Sequence, residues 1–199
     1  MAIIGFGSIG KRYLRLIKKN YPNLRITIVR SQIKKKTKFH NKLVKEVASI
    51  KEVISMGVQA AIISSPSTLH VSQAQKLIKG NIHVLIEKPV SNNIKSAEKL
   101  LKISKKKNIV GLVGYCLRHT KLLQKFKQMI EKKILGKILN VRVECFSYMP
   151  HWRKNANYLN SVSARKNLGG GALLELSHEI DYIRWFFGEI NLLWLYGDK

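Results

Sequence analysis

The sequence contains little cysteine and no long apolar run. Cys116 and Cys145 are the only cysteines among 199 residues, and their separation matches neither a disulfide framework nor the paired spacing of a zinc site. No stretch approaches the ~20 apolar residues of a membrane span. The first residues also lack a basic segment followed by a cleavage site. We therefore expect no metal centre, no membrane span and a cytoplasmic location.

Acidic residues are the other scarce class. The chain has 11 Asp and Glu against 37 Lys and Arg, a formal net charge of +26. Such an excess is typical of nucleic-acid binders, and nucleic-acid binding stays open as an alternative function. However, the lysines are spread along helix-like segments such as 95–99, and no zinc finger, RNA-stacking motif or zipper heptad accompanies them. We interpret the charge as solvated helix faces and expect no nucleic-acid partner.

What the sequence does contain, over residues 1–114, is an alternation of short apolar strands with amphipathic helices. Strands are predicted at 1–6, 24–29, 43–47, 60–64, 83–87 and 109–114. Strands and helices that alternate at this length are typical of a parallel, doubly wound sheet. The predicted fold class is therefore α/β, with a Rossmann-type first domain over residues 1–114.

A glycine-rich loop follows the first predicted strand. Gly5, Gly7 and Gly10 form the pattern G-x-G-x-x-G and open a helix. In dinucleotide-binding folds the first glycine makes a tight turn, the second lets the pyrophosphate approach, and the third packs helix on strand. Free N–H groups at the helix start also favour an anion. The residues predicted to bind a dinucleotide here are Gly5, Phe6, Gly7, Ser8, Ile9 and Gly10.

The end of the second predicted strand bears on the choice of cofactor. A fold that binds NAD usually has Asp or Glu about 20 residues beyond the glycines, where it holds the ribose diol. This sequence instead has Arg30 and Ser31, followed by Lys34–Lys36. A guanidinium and a hydroxyl suit a 2′-phosphate. We predict NADP, with NAD as second choice and a plain charged loop as the remaining alternative.

The fifth predicted strand ends in Glu87-Lys88-Pro89. Ligands of open α/β sheets bind outside the carboxyl ends of the strands. Pro89 has no N–H and ends the ladder, so the ammonium of Lys88 is expected at the mouth of the site. The neighbouring strand ends at Ser64 and leads into Ser65-Pro66 and His70, although a histidine there could also lie on a helix surface.

From Tyr115 onward the pattern changes. A long helix is predicted at about 117–133, and the alternating segment 138–146 predicts an antiparallel strand with one covered face. An irregular stretch leads to Gly169–Gly171, an apolar helix over 172–187 and a strand-like run at 190–196. We expect residues 115–199 to be the start of an α+β domain with a mainly antiparallel sheet, left incomplete where the chain stops.

Three parts of the chain together resemble one family. They are the glycine loop, Glu87-Lys88-Pro89, and residues 169–181, which read GGGALLELSHEID. In this order they are similar to the glucose–fructose oxidoreductase / inositol dehydrogenase / MocA family. The resemblance implies hydride transfer between a nicotinamide cofactor and a hydroxyl or keto carbon of a sugar, cyclitol or sugar derivative. It also implies a homo-oligomer for a full-length chain, of which this sequence is expected to be a truncated form.

The resemblance implies three catalytic residues. Lys88 matches the lysine that bridges the substrate hydroxyl and the nicotinamide ribose, and His178 matches the histidine that donates or accepts the proton. Glu175 stands where the family usually has aspartate, three rather than four residues before the histidine. Both spacings place such a pair on one helix face, so Glu175 is expected to hold the imidazole.

Further contacts are expected from the same resemblance, apart from Arg30 and Ser31, which are predicted from their place at the end of the second strand. Residues expected to face the cofactor, besides the glycine loop, are Arg30, Ser31, Ser64, Ser65, Pro66, His70, Glu87 and Lys88. Residues expected to face the substrate are Lys88, Tyr115, Arg118, Trp152, Arg165 and His178.

The chemistry of these residue types agrees with that reading. An imidazole titrates near working pH and can accept a proton from a carbinol, and an ammonium stabilises the alkoxide that develops. A metal site made of Glu175, His178, Glu179 and Asp181 is disfavoured, because these residues do not form His-Glu-x-x-His. A module that binds NAD(P) as a sensor, without turnover, stays open as the main alternative.

Overall fold

A six-stranded parallel sheet forms the first part of the molecule. The computed structural model describes residues 1–30, 39, 41–152, 157–194 and 196; the predictions for Ser31 and Lys34–Lys36 lie outside them. The strands are β1 (Ala2–Ile4), β2 (Ile26–Val29), β3 (Val44–Val47), β4 (Ala60–Ile63), β5 (His83–Ile86) and β6 (Gly111–Val113). They pair in the order β3-β2-β1-β4-β5-β6, all parallel. The predicted parallel α/β sheet is confirmed.

Four helices connect these strands: α1 (Ser8–Asn20), α2 (Ile50–Ser55), α3 (Ser67–Lys79) and α4 (Ile94–Lys106). α2 begins where the Ser49 hydroxyl accepts a hydrogen bond from the Glu52 N–H, and α4 begins where the Asn93 side chain accepts one from the Ser96 N–H. Such caps satisfy N–H groups that have no partner within the helix.

Both faces of the central strands β1, β2 and β4 are buried. On one face Ile3, Ile26 and Ile28 pack with residues of α1. On the other face the strand residues Ile4 and Ile63 belong to a larger cluster with Leu77 of α3. Because successive side chains of a strand point to opposite faces, burial on both sides explains why the strands read as nearly continuous apolar runs. The strand order reverses between β1 and β4, which is where such sheets bind ligands.

The second part of the molecule is built from short helices. It contains α5 (Lys121–Glu131), α6 (Ala172–Glu175) and α7 (Ser177–Phe187), together with 3₁₀ turns at Cys116–His119, Met149–Trp152, Tyr158–Asn160 and Lys166–Leu168. α7 packs on α5 through the edge-to-face rings of Phe126 and Phe186. Over the described ranges, no helix has the length and apolar character needed to cross a membrane.

The two strands expected in the second part are not present in its described residues. Residues 138–146 and 190–194 form no strand pairs, and Leu139, Phe146 and Leu193 are 84%, 88% and 92% exposed. An alternating segment becomes a strand only when a neighbour pairs its backbone groups and covers its apolar face. Neither segment has such a neighbour among the residues described. The predicted antiparallel sheet is therefore not confirmed.

Candidate functional site at the carboxyl ends of the strands

The glycine loop between β1 and α1 is shaped by close backbone contacts. Gly5 has φ +89°, and a Cβ there would lie 2.9 Å from the Ser65 nitrogen. A Cβ on Gly10 would lie 2.3 Å from the Gly5 carbonyl oxygen. Gly7 differs, because no atom lies within 4 Å of the position of its missing Cβ. The loop is therefore closed against the sheet at Gly5 and Gly10 and open at Gly7, which is the side a pyrophosphate would approach.

The start of α1 completes this cradle. Gly7 is the N-cap, no side chain caps the helix, and its first turn carries no acidic residue. N–H groups left free at a helix start bind anions. Ser8 and Ile9 are exposed in this turn. Phe6 differs from them, because its partly buried ring packs against the core and meets Phe39 edge to face. Phe6 therefore contributes its backbone to the loop.

The turn after β4 contacts the glycine loop and helps to hold it in place. The Ser64 hydroxyl donates to the Gly5 carbonyl at 3.0 Å, and the Ser65 hydroxyl donates to Gln73 Oε1 at 2.6 Å. Pro66 is the N-cap of α3. His70 is 1% exposed, and its ring nitrogens lie 2.9 Å from the Pro89 carbonyl and 2.8 Å from the Ser65 carbonyl. The imidazole thus contacts backbone on both sides.

Arg30 lies at the end of β2, where the protein would contact a substituent at the 2′ position of the cofactor ribose. Its Nη1 is 3.0 Å from Oε1 of Glu46 on β3, and its side chain is 30% exposed. The guanidinium predicted from the sequence is therefore at the expected edge of the sheet, with a carboxylate beside it that the sequence did not predict.

Lys88 reaches across to the second part of the chain. Its Nζ donates to the Glu175 carbonyl oxygen at 2.7 Å and lies 3.5 Å from Glu175 Oε2. The Lys88 side chain is only 17% exposed. The preceding residue, Glu87, accepts a 2.6 Å hydrogen bond from the Tyr13 hydroxyl of α1. The Lys88 ammonium is therefore held in place rather than solvated.

His178, in the first turn of α7, lies close enough to Lys88 to feel its charge. Burial, and next the ammonium of Lys88, lower the pKa of His178 below its usual value. The carboxylates of Glu179, Asp181 and Glu87 act in the opposite sense and do not outweigh them. The imidazole also meets the Tyr115 ring edge to face, at 5.7 Å between centroids. The fold therefore brings together Lys88, Tyr115 and His178 from distant parts of the sequence.

The structure corrects the expected pairing of Glu175 with His178. The helix predicted over 172–187 breaks at Leu176, whose ψ is 27°, so Glu175 ends α6 and His178 belongs to α7. The rule that residues three apart share a face holds only within one helix. Glu175 instead contacts Lys88 through its carbonyl and its carboxylate. His178 Nδ1 is buried without a hydrogen-bond partner among the residues described.

Arg118 is engaged within the protein. Its Nε and Nη2 donate to the two carboxylate oxygens of Asp181 at 2.8 and 2.7 Å, and its guanidinium lies over the Trp185 ring. Asp181 is three residues beyond His178 on α7. The pair therefore joins the 3₁₀ turn after β6 to the helix that carries the imidazole, a contact that the sequence reading did not anticipate.

Trp152 and Arg165 lie in the irregular stretch before Gly169. Trp152 lines a cavity of about 240 Å³ together with Tyr158, Asn160 and Ser163, among others. Arg165 donates to Asn160 Oδ1 at 2.7 Å and to the Leu159 carbonyl. Arg165 thus braces the wall of this cavity.

Over the described ranges, no group of three or more His, Cys, Asp or Glu residues could hold a metal ion.

The Arg118–Asp181 pair gives a first testable prediction. We expect Arg118→Ala to lower the free energy of unfolding by about 1–2 kcal/mol, since it removes two charged hydrogen bonds from a carboxylate that is only 10% exposed. Urea unfolding measures the loss. Arg142→Ala is the matched control, because Arg142 is 81% exposed and pairs with Glu144, so that change should cost less than about 0.5 kcal/mol. Equal losses in the two variants would contradict the prediction.

Comparison with known proteins gives a consistent family. Residues 1–115 match a family model described as oxidoreductase family, NAD-binding Rossmann fold, and residues 123–198 match the GFO/IDH/MocA C-terminal domain. An uncharacterised oxidoreductase of Synechocystis is 30% identical over 68% of this chain and 36% of its own length. Levoglucosan dehydrogenase of Pseudarthrobacter phenanthrenivorans is 30% identical over 65% of this chain and 33% of its own length.

Solved structures extend the likeness in fold. Scyllo-inositol dehydrogenase from Lactobacillus casei, solved with NAD(H) and scyllo-inositol, superposes with a TM-score of 0.75 at 23% identity, over 94% of this chain and 55% of that one. The chain thus spans about half the length of this structure. Its alignments with the two curated relatives cover about a third of the length of each relative.

Proposed function

Because the chain belongs to the GFO/IDH/MocA oxidoreductase family, we propose that it transfers a hydride between a nicotinamide cofactor and a hydroxyl or keto carbon of a sugar, cyclitol or sugar derivative. The names of its relatives support this substrate class, since they include a levoglucosan dehydrogenase and a 1,5-anhydro-D-fructose reductase. In this proposal, residues 1–114 bind the cofactor and residues 115–199 contact the substrate.

One observation carries the proposal. The ammonium of Lys88, at the carboxyl end of β5, lies close enough to His178 to lower the pKa of that imidazole. The two residues are 90 positions apart in the sequence, and both are withdrawn from bulk solvent. An ammonium whose charge acts on an imidazole, at the sheet edge where α/β folds bind their ligands, suits proton removal from a hydroxyl group.

The residues of this chain have separate roles in that reaction. The nicotinamide, when bound, supplies the acceptor or donor of the hydride. His178 is neutral at neutral pH because its pKa is lowered, so it is ready to accept a proton from the substrate hydroxyl. Lys88 stabilises the negative charge that develops on that oxygen. Glu175 acts on Lys88 by orienting its ammonium through the 2.7 Å contact with its carbonyl.

The substrate would enter beside Tyr115, which packs on the imidazole of His178. Trp152 and the segment braced by Arg165 lie in the stretch that leads to Gly169 and offer an aromatic face with amide and hydroxyl groups. Such surfaces suit sugar rings, which present apolar C–H faces and polar rims. Arg118 holds α7 in place through its two hydrogen bonds to Asp181.

Turnover by this chain can be tested directly. Single-turnover mixing of the 199-residue chain with cofactor and a panel of sugars and cyclitols, followed by the absorbance of the reduced nicotinamide, should identify at least one substrate. Cofactor binding without any redox change across the panel would favour the alternative hypothesis, a module that binds NAD(P) as a sensor without turnover. Failure to bind any nicotinamide cofactor would contradict both readings.

The cofactor preference gives a second prediction. We expect NADP to bind about tenfold more tightly than NAD, or ~1.4 kcal/mol, because the guanidinium of Arg30 lies where a 2′-phosphate would be read. Arg30→Ala should weaken NADP alone, as measured by quenching of protein fluorescence with each cofactor. Arg25→Ala, an exposed arginine just before β2, is the control and should leave both affinities unchanged. Equal wild-type affinities, or a parallel loss of both in Arg30→Ala, would contradict the preference.

Three expectations stay predictions. They are a homo-oligomer, a cytoplasmic location and the absence of a nucleic-acid partner. Sedimentation of the chain with and without a short duplex DNA at physiological salt tests the first and the third. The high net charge makes the salt concentration decisive, because non-specific phosphate contacts weaken steeply as salt rises.

A further inference from the structure

Two side chains from different helices hold the residues on either side of Lys88. Tyr13 of α1 donates its hydroxyl to the Glu87 carboxylate at 2.6 Å. His70 of α3 places Nδ1 2.9 Å from the Pro89 carbonyl oxygen. Lys88 therefore lies between two tethered neighbours, while its own Nζ is bound to Glu175 on the far side.

The His70 contact is a bridge between two loops. Its Nε2 lies 2.8 Å from the carbonyl of Ser65, in the turn after β4. Buried polar groups without partners are costly, so at 1% exposure the ring and the two carbonyls it faces depend on each other. Both facing atoms are carbonyl oxygens, which accept, so each contact is a hydrogen bond only when the ring nitrogen there carries a proton. The ring lies between the turn after β4 and the turn after β5 and contacts both.

The Tyr13 contact is well suited to a permanent tether. Burial, and then the hydrogen bond to Glu87, raise the pKa of Tyr13 above its usual value, so the phenol keeps its proton and remains a donor. A hydrogen bond to a charged acceptor is stronger than one between neutral groups. α1 is thereby joined to the end of β5 at the residue just before Lys88.

Both tethers begin in the elements proposed to hold the dinucleotide. α1 starts in the glycine loop, and α3 starts in the Ser65-Pro66 turn. These two segments are themselves in contact, since a Cβ on Gly5 would lie 2.9 Å from the Ser65 nitrogen. The glycine loop, the turn after β4 and the segment 87–89 are therefore linked to one another by direct contacts.

We propose that Tyr13 and His70 are positioning residues that fix Lys88 relative to the cofactor loops. This inference rests on the proposed function for its meaning in catalysis, since it assigns the two residues no contact with the reacting atoms. They act through Lys88 alone. Loss of either tether leaves the ammonium present but lets the segment that carries it move.

Amide hydrogen exchange, which needs no turnover, tests the tethers. In Tyr13→Phe and His70→Asn, exchange over residues 84–91 should become about fivefold faster, which corresponds to the loss of one hydrogen bond. Tyr21→Phe and His119→Asn are matched controls, because both residues are exposed, and they should leave this segment unchanged. Unchanged exchange in both tether variants, or acceleration spread evenly over the sheet, would overturn the proposal.

Kinetics separate positioning from plain stability. Each tether variant should slow single turnover about tenfold in the wild-type background and have no further effect in a Lys88→Met background, since the group being positioned is gone. Equal effects in both backgrounds would overturn the proposal. If His70→Asn fails to fold, Tyr13→Phe, which removes one hydroxyl, decides the test. If the wild type turns over no substrate, the proposed function fails, while hydrogen exchange still decides the tethers.

Discussion

Replacing His178 by asparagine should slow single turnover by about 10²–10⁴-fold, the usual contribution of a general acid–base group. Asparagine keeps a polar side chain of similar reach but cannot take up a proton. Cofactor affinity should be unchanged, because the glycine loop and the β4 turn lie on the other part of the chain. The wild-type rate of hydroxyl oxidation should rise with pH and level off above the lowered pKa of His178, since only the neutral imidazole accepts the proton.

The measurement is the absorbance of the reduced nicotinamide in single turnover, recorded over a range of pH. His119→Asn is the control for a general effect of losing a histidine, because His119 is exposed in the turn before α5. An His178→Asn variant with wild-type rates across the pH range would reduce His178 to a packing residue and remove the proposed proton acceptor.

Replacing Lys88 by methionine should cost about 10²–10³-fold in the same assay, as the loss of one group that stabilises a developing oxyanion usually does. Methionine preserves most of the side-chain volume and removes the charge. The change should also raise the pKa of His178, because the ammonium is a cause of its lowering and removing a nearby positive charge favours the imidazolium. The rise of rate with pH should therefore move to higher pH.

Lys95→Met is the matched control, since Lys95 is an exposed lysine at the start of α4 and its loss changes the net charge equally. A titration of the His178 ring by NMR, in the wild type and in both variants, separates the two effects of Lys88. If the pKa of His178 is the same in Lys88→Met and in the wild type, the two residues do not form one electrostatic site.

The first part of the fold could be predicted from the sequence because its signals are local. Strands buried on both faces must be apolar throughout, as Ile26–Val29 and Ala60–Ile63 largely are. The loop from Gly5 to Gly10 requires glycine at close backbone contacts, and such contacts leave a fixed spacing in the sequence. Family membership followed from the order of these local patterns along the chain and is confirmed.

The predictions that the structure does not confirm concern places where a neighbouring segment decides the structure. Residues 138–146 alternate as a strand does, but alternation specifies a face and does not supply the partner strand. The break at Leu176 is also invisible to periodicity, because both halves of 172–187 are helical on their own. That break redirects Glu175 from the imidazole to Lys88, which no spacing rule predicts.

The site residues divide in the same way. Lys88 and His178 were predicted from sequence patterns, and the fold brings them close enough for the charge of Lys88 to lower the pKa of His178. The partners of Arg118, His70 and Glu87 were not foreseen, because a hydrogen bond between distant segments leaves no local signal. Asp181 and Tyr13 carry two of these bonds.

The structure of the chain in complex with NADP, determined by crystallography, is the most direct test of the account. The account predicts that the pyrophosphate lies against the backbone from Gly7 to Gly10 and that the nicotinamide lies beside Lys88, on the side where Tyr115 and His178 meet. A nicotinamide directed away from Lys88 and His178, or a cofactor bound elsewhere on the chain, would contradict the claim that these residues form one redox site.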